Sequence, residues 1–378
     1  MIDLLRSAIP LDLRPELAEA VRRPWIMNQI NAGMGEARRA PDYATPNLAR
    51  WFRKNRSLGS RDRRVVAEAV HGLIRHEALL LRAGARSPDE LVLRWADMME
   101  GDRFDHLDAT SPTEDLATAL NIPGPIAQEW LNTLEPEGAA EFAQAINRRP
   151  AVHIRTNLQR TDRADLMAAL SVEGVTTSPF PDSDTALTVE GRANLQATSA
   201  FRGGLFEVQD ASSQLFVDAL PIRSGGHVLD LCAGAGGKSL AMAALGAKVH
   251  ATDIRSNALA ELEKRAARAG ATIDIAQPSL APLVVVDAPC SGSGRLRRNP
   301  ALRWGLSDAV HLSTQAELVA AATEFVAPDG VLAYATCSLL SRENSPPTPK
   351  GWHIISEQTL WPHVHNTDGF YWRLMARR

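Results

Sequence analysis

Two thiols stand where reactive chemistry is readily built. Cys290 lies in "VVVDAPCSGSGRLRRNPALRW" and Cys337 in "LAYATCSLLSREN". Each stretch opens on an apolar run that reads as a strand, so each thiol falls at a strand's carboxyl end. A lone strand-end cysteine is more often a small packing residue. Two of them beside a nucleoside-binding turn suit a reactive pair. The chemistry that wants such thiols is methylation of a poorly nucleophilic carbon. A thiolate adding to C6 of cytosine makes an enamine whose C5 can attack a sulfonium methyl; a base then takes the C5 proton and the thiol leaves. Asp287, just before Cys290, suits the charge that develops at cytosine N3. Lys238 suits orienting that carboxylate or lowering a thiol pKa.

The turn is "DLCAGAGGKS", residues 230–239. A P-loop needs glycine where Cys232 stands, and a dinucleotide fingerprint needs glycine where Ser239 stands. A nucleoside without a pyrophosphate fits with no repair. The strand "HVLDLC" enters a glycine turn whose backbone a ligand can approach closely. The next strand ends at Asp253, 17 residues after Gly236, placed to accept from ribose hydroxyls. S-adenosylmethionine meets that description, held by Cys232, Ala233, Gly234, Ala235, Gly236, Gly237 and Lys238. The plain alternative is a tight turn holding nothing.

Three cysteines in 378 residues are no disulfide framework, and no CxxC pair points to zinc, so a reducing cytoplasmic setting and no metal are expected. No apolar run is long enough to span a membrane, and "MIDLLRSAIPLDLRPELAEA" lacks the apolar core of a signal peptide. The formal charge of −3 hides an asymmetry: residues 1–86 carry 16 Lys/Arg against 9 Asp/Glu, and residues 87–140 carry 2 against 12. A basic front half suits a polyanion, or simply solvates helices.

The periodicity predicts a multidomain chain. Residues 1–148 read as an α-helical N-terminal domain, with Ser60 as a helix start and Gly84 as its stop. Residues 149–212 read as a small α+β module, with strands in "AVHIRTN" and "TALTVE". Residues 213–378 alternate strand and helix, the pattern of a C-terminal α/β Rossmann-like domain with a mostly parallel sheet. Ligands in such sheets sit at the strands' carboxyl ends. "GRLRRNPALRW" puts Arg295, Arg297, Arg298 and Arg303 beside Trp304, which suits RNA phosphates and base stacking or a merely solvated basic loop. His153, Arg155 and Asn157 are candidates to line a basic cleft between module and catalytic domain; the eight tryptophans are scattered and read as structural.

Together, "DLCAGAGGK", "DAPCSGSGRLRRNP" and "YATCSLL…EN" closely resemble the motifs of the Sun/Fmu (RsmB-like) RNA cytosine-C5 methyltransferases. "FEVQDASSQL" and "LGSRDRRVVAEAVHGLIR" are similar to that family as well, the latter to its NusB-like helical region. The resemblance implies an S-adenosylmethionine-dependent enzyme acting on RNA, 16S rRNA first, with tRNA as the alternative; the remaining readings are a non-catalytic assembly factor or a P-loop ATPase. It implies Cys337 as nucleophile and Cys290 as the thiol that assists release. It puts the cofactor's methionine part on the turn from Cys232 to Lys238, its ribose on Asp253, the target base at Asp287, and the adenine near Gln277. Three departures stand out. The turn reads Ala-Gly-Ala-Gly-Gly where the family has Ala-Ala-Pro-Gly-Gly; Gln277 replaces an aspartate; and "SPPTPKG" follows Asn344 where a helix is usual.

Overall fold

The structure, a computed structural model, describes residues 3–10, 13–40, 44–275, 277–307 and 311–378. The chain divides into two compact units. One joins residues 1–149 with the excursions 291–310 and 362–366. The other holds residues 150–290, 311–361 and 367–378.

The first unit is helical: α1 (Leu4–Ser7), α2 (Pro15–Val21), α3 (Pro24–Arg38), α4 (Ala44–Lys54), α5 (Ser60–Arg82), α6 (Pro88–Glu100), α7 (Pro112–Leu120), α8 (Gly124–Leu131) and α9 (Pro136–Asn147). Local sequence sets several ends. Ser87 and Ser111 accept from the backbone N–H of Glu90 and Glu114, and a proline follows each serine at the first helical position. Gly101 and Asn121 close α6 and α7 in the left-handed region. The apolar stripe of α5 faces inward: Val66, Ala69, Val70, Leu73 and Ile74 are buried and Val65 is half-buried. Gly72 lets α6 close on α5, since a Cβ there would meet the Trp95 ring at 2.5 Å.

The excursion 291–310 belongs to this helical core rather than to a free basic loop. Ala301 is buried among the helices' apolar residues and Trp304 packs against them. Trp304 Nε1 donates to Glu77 Oε2 at 2.9 Å, and Arg38 lies over its ring, so this tryptophan is not a stacking platform for a base. Arg303 is 2% exposed. Its guanidinium donates to the carbonyls of Leu120 (2.7 Å), Leu296 (3.3 Å) and Ile146 (3.4 Å) and to Asn147 Oδ1 (2.6 Å). Arg297 is also buried, and Nη2 reaches Asn366 Oδ1 at 3.5 Å. Both arginines are packing residues, which corrects the expectation of four RNA-facing arginines; Arg295 and Arg298 alone are exposed.

The second unit begins with β1 (Val152–Thr156), α10 (Arg163–Val172), β2 (Thr177–Pro179), β3 (Ala186–Val189), α11 (Ser199–Arg202) and β4 (Phe206–Val208). These strands form an antiparallel sheet of order β2-β3-β1-β4. Then follow α12 (Ala211–Asp218), β5 (His227–Asp230), α13 (Gly237–Ala244), β6 (Lys248–Ala251), α14 (Ser256–Ala269), β7 (Ile273–Ile275), β8 (Ala281–Asp287), α15 (Leu312–Ala322), β9 (Val326–Thr336), β10 (Trp352–Leu360) and β11 (Phe370–Arg377), while α16 (Pro362–His365), between the last two strands in sequence, belongs to the first unit. The larger sheet has the order β10-β11-β9-β8-β5-β6-β7. β5 to β9 pair in parallel, and β11 runs antiparallel to both its neighbours.

Alternation along the strands fills both faces. Leu283 and Val285 pack with Phe216 and Met242 on one side, and Val284 and Val286 with Val319 and Ala322 on the other. After Asn344 the chain runs without helix to β10, because prolines 346, 347 and 349 supply no backbone donor. The only helix between β10 and β11 among the described residues is the single turn α16.

His153, Arg155 and Asn157 are buried rather than laid open along a basic cleft, and Arg155 borders a small pocket between the module, α12 and α13. Arg155 Nη1 donates to Gln209 Oε1 (2.9 Å) and to the Gly237 carbonyl (3.0 Å). Asn157 Nδ2 donates to the carbonyls of Gly204 and Ala269, and His153 Nδ1 meets Asp210 Oδ2 at 3.1 Å. All three are buried, and Arg155 and Asn157 fasten the small sheet to the start of α13 and the end of α14.

Candidate active site

The carboxyl ends of β5, β6, β8 and β9 form one rim. β5 delivers Asp230 and then the turn from Cys232 to Gly236. Gly236 sits at φ +80°, and a Cβ there would strike Leu262 of α14 at 2.5 Å, so this position admits only glycine. The turn ends by opening α13, which carries Lys238 and Ser239. Arg155 and Gln209 both donate to the Gly237 carbonyl and pin the start of that helix.

Asp230 is 1% exposed. Its Oδ2 accepts from Ser239 Oγ at 2.6 Å, while Oδ1 is buried with no partner. Burial outweighs the Ser239 hydrogen bond and the pull of Lys238, and pushes the carboxyl pKa up to about 6. Cys232 is half-buried against the sheet, and burial beside Asp230 and Asp287 raises its thiol to about 12. It is therefore a neutral packing residue of the turn.

At the end of β6, Asp253 accepts from the Gly234 backbone N–H at 2.8 Å. Its remaining contacts come from Arg255, through the backbone N–H (2.8 Å), Nε (3.0 Å) and Nη2 (3.0 Å). Burial alone would raise this carboxyl; the Arg255 and Gly234 hydrogen bonds overcome it and hold the pKa below its usual value. Arg255 thus covers the Asp253 carboxylate with a side chain that is 63% exposed. Ile254 beside it is fully exposed, a large apolar residue with nothing packed on it. Gln277 is exposed just past β7.

At the end of β8, Asp287 Oδ2 accepts from Lys238 Nζ at 2.6 Å, and Lys238 also lies 5.0 Å from the Phe370 ring centroid. Of the two roles expected of Lys238, the geometry favours orienting the carboxylate. Three residues on, Cys290 Sγ lies 3.4 Å from Cys337 Sγ at the end of β9. Neither thiol is in a disulfide, and both are half-buried. Gln315 of α15 is buried and donates to the Pro289 carbonyl at 2.9 Å, fixing the loop that carries Cys290.

The loop that carries Cys337 is fixed from inside. Thr336 Oγ1 donates to Asn344 Oδ1 at 2.6 Å, and Asn344 Nδ2 donates to the Ser338 carbonyl at 3.0 Å. Tyr334 OH donates to the Glu343 carbonyl at 2.7 Å. Arg373 reaches the carbonyls of Pro346 and Asn344. Sequence reasoning missed Asp230, Gln315, Asn344 and Arg373. Asp230 and Asn344 stood inside quoted motifs, where a polar residue at a buried strand end was the available signal. Gln315 and Arg373 carried none, since Gln315 meets a backbone carbonyl distant in sequence and Arg373 meets two such carbonyls and the Glu357 carboxylate across the β10–β11 pair.

Thus Lys238, Asp287, Cys290 and Cys337 converge with the turn, and Asp253 stands at the next strand end. Among the described residues no group of three or more His, Cys, Asp or Glu side chains could hold a metal ion, and no helix is long and apolar enough to cross a membrane.

Comparison with known proteins bears on the family and the fold. Residues 217–348 match the family described as 16S rRNA methyltransferase RsmB/F, and residues 123–196 match the RsmF/B-like ferredoxin-like domain. The ribosomal RNA small subunit methyltransferase B of Klebsiella pneumoniae subsp. pneumoniae is 31% identical over 282 residues, 67% of this chain and 64% of its own. That of Escherichia coli O6:K15:H31 is 33% identical over 56% of this chain and 53% of its own. The chain thus spans a little under two thirds of the first relative's length. The solved protein PH0851 is 22% identical and aligns over 97% of this chain and all of its own with a TM-score of 0.74. NSun6 from Pyrococcus horikoshii, solved with SFG, is 18% identical over 68% of this chain and 98% of its own, with a TM-score of 0.61. At these identities the solved structures speak for the fold.

Proposed function

This chain belongs to the RsmB/F family of methyltransferases, and on that premise we propose that it is an S-adenosylmethionine-dependent RNA cytosine-C5 methyltransferase of the cytoplasm, with small-subunit rRNA as its substrate. The observation that carries the reading is the 3.4 Å approach of Cys290 and Cys337 beside the Lys238–Asp287 pair. A binding protein has no use for two thiols held at one rim.

The turn fits the cofactor. The unpartnered Oδ1 of Asp230 can accept from an amino group. Residues from Cys232 to Lys238 hold the methionine part, Asp253 takes the ribose once Arg255 turns away, and Ile254 with the loop at Gln277 borders the adenine. The cofactor, when bound, supplies an electrophilic methyl group.

The chain's residues do the rest. The Cys337 thiolate adds to C6 of the target cytosine, and the electron pair moves toward C5 and N3. Asp287, held by Lys238, meets N3 as charge develops there. C5 takes the methyl group, a base removes the C5 proton, and the C6–S bond breaks to return the thiolate. Cys290 assists that release. The target base must leave any stack to reach the half-buried thiols, and the exposed Arg295 and Arg298 contact RNA phosphate.

The test is transfer of labelled methyl from S-adenosylmethionine to RNA from a strain lacking the gene, followed by nucleoside analysis. Label in 5-methylcytosine of small-subunit rRNA is the expected result. Label in tRNA alone would move the substrate and keep the chemistry. Cofactor binding without label in any RNA or ribosomal particle would sink the enzyme reading in favour of an assembly factor.

A further inference from the structure

Residues 50–64 of the helical unit hold seven Lys/Arg and one carboxylate, Asp62. They cover the end of α4, the turn 55–59 and the start of α5. Arg50, Arg53, Lys54, Arg56, Arg61 and Arg64 are exposed. Arg50, Arg53 and Lys54 stand at i, i+3 and i+4 on α4, and Arg61 and Arg64 at i and i+3 on α5, so each set shares one helix face. Like charges so placed repel one another and weaken their helices. Among the described residues none of the six is paired with a carboxylate. Other arginines of the unit behave differently. Arg14 pairs with Glu68, Arg22 with Asp97 and Glu100, Arg38 with Glu77, and Arg82 with Asp115.

The corner that carries these cations is fixed from inside. Asn55 Nδ2 donates to the Trp51 carbonyl at 3.0 Å. Arg63 donates from Nε to the Leu58 carbonyl at 2.8 Å and from Nη2 to the Asn55 carbonyl at 3.4 Å. Leu58 is buried, and Trp51 and Phe52 pack against the core of the helices. The orientation decides among anionic partners. A surface that binds membranes sets large apolar side chains beside its cations. Residues 44–67 expose no large apolar side chain. Five of the six exposed cations are arginines, whose planar fork matches phosphate oxygens. A backbone of closely spaced phosphates neutralises cations on both helices at once and releases its counterions.

We propose that the α4–α5 corner is a docking surface for the phosphate backbone of RNA, contacted by Arg53 and Lys54 from α4, Arg56 from the turn, and Arg61 and Arg64 from α5. The surface holds RNA by charge and leaves its base sequence unread. This deepens the proposed function and rests on its RNA substrate class. It gives the helical unit a binding role of its own, apart from the chemistry at the rim.

Titration of the full chain into two fluorescent RNA hairpins of unrelated sequence, over a series of salt concentrations and without cofactor, tests it. Three double variants are compared with wild type. Arg53→Ala with Arg56→Ala, and Arg61→Ala with Arg64→Ala, remove charge from the corner on either side of Leu58. Arg23→Ala with Arg94→Ala removes the same charge from exposed arginines that sit near Glu19 and Asp97. Each corner variant weakens binding to both hairpins at least about tenfold and reduces the salt slope by about 2. The control changes affinity less than about twofold, and melting temperature is unchanged in all three. Equal losses in corner and control variants, or no hairpin binding by wild type, overturn the surface. Corner-dependent binding to phosphatidylserine–phosphatidylcholine vesicles with hairpin binding intact overturns it in favour of a membrane. Methyl transfer to RNA is followed on the same samples. Corner-dependent hairpin binding without methyl transfer by wild type keeps the surface and removes the enzyme reading; methyl transfer with no corner effect on binding does the reverse.

Discussion

Arg303 in the helical unit and Asp230 at the rim are almost equally buried, at 2% and 1% exposed, yet the fold treats them differently. Arg303 finds three carbonyls and an amide oxygen. Asp230 finds one hydroxyl and keeps an oxygen unpaired. The difference separates a guanidinium fully paired within the protein from a carboxyl that is not, although the helical unit too keeps buried polar atoms without a partner, His71 Nδ1 and Trp95 Nε1 among them.

The comparison breaks most visibly at Arg303. Arg303→Ala leaves four acceptors without their donor and a void in the core, so it should cost the helical unit about 3–5 kcal/mol in urea unfolding. Arg298→Ala, on the exposed side of the same excursion, should change stability by less than about 0.5 kcal/mol. Equal effects at the two positions would mean that Arg303 is not a packing residue.

The two units should also answer pH with opposite signs. Burial and nearby Arg75 hold His71 at about 4 and His76 at about 3, below their unfolded value of 6.5. The unfolded chain then takes up protons the native state refuses, so the helical unit loses stability as pH falls below about 6.5, by a few kcal/mol toward pH 4. Asp230 is raised to about 6 from an unfolded 3.8, so the native state keeps a proton the unfolded chain releases. Its contribution therefore falls as pH rises from about 4 to about 6. Hydrogen exchange measured peptide by peptide at pH 4.5 and 7 reads both units at once. Asp230→Asn should abolish the rim's slope and stabilise it by about 2 kcal/mol at pH 7, while weakening S-adenosylmethionine binding.

Smaller effects sharpen the contrast between buried and exposed arginines. Arg295→Ala with Arg298→Ala should lower RNA affinity evenly across sequences and reduce the salt slope by about 2. Arg255→Ala removes the group that competes for Asp253, and should tighten cofactor binding by about two- to fivefold, the worth of an exposed ion pair.

Much of the rim was legible because strand, glycine turn and helix are local. "HVLDLC" and "GVLAYATC" announce themselves by apolar runs, and Cys337 follows from where the second run stops. The excursion 291–310 was not legible. Its arginines look like an RNA loop in sequence, and what buries Arg297 and Arg303 are carbonyls from residues 120 and 146 and the amide of Asn366, which no local pattern reveals. Arg155 and Asn157 misled for the same reason: their partners at Gly237 and Ala269 become neighbours only after the sheets form. The strands β10 and β11 also escaped notice, since the proline-rich segment before them hid where the last pair begins.

The central claim is that the two thiols 3.4 Å apart divide the labour, Cys337 attacking and Cys290 releasing. Its most direct test is a denaturing gel of wild type, Cys337→Ala and Cys290→Ala after incubation with RNA and S-adenosylmethionine carrying a labelled methyl. The account predicts free labelled RNA for wild type, none for Cys337→Ala, and a labelled protein–RNA adduct for Cys290→Ala. An adduct in Cys337→Ala and none in Cys290→Ala would contradict it, because the attacking thiol would then be Cys290.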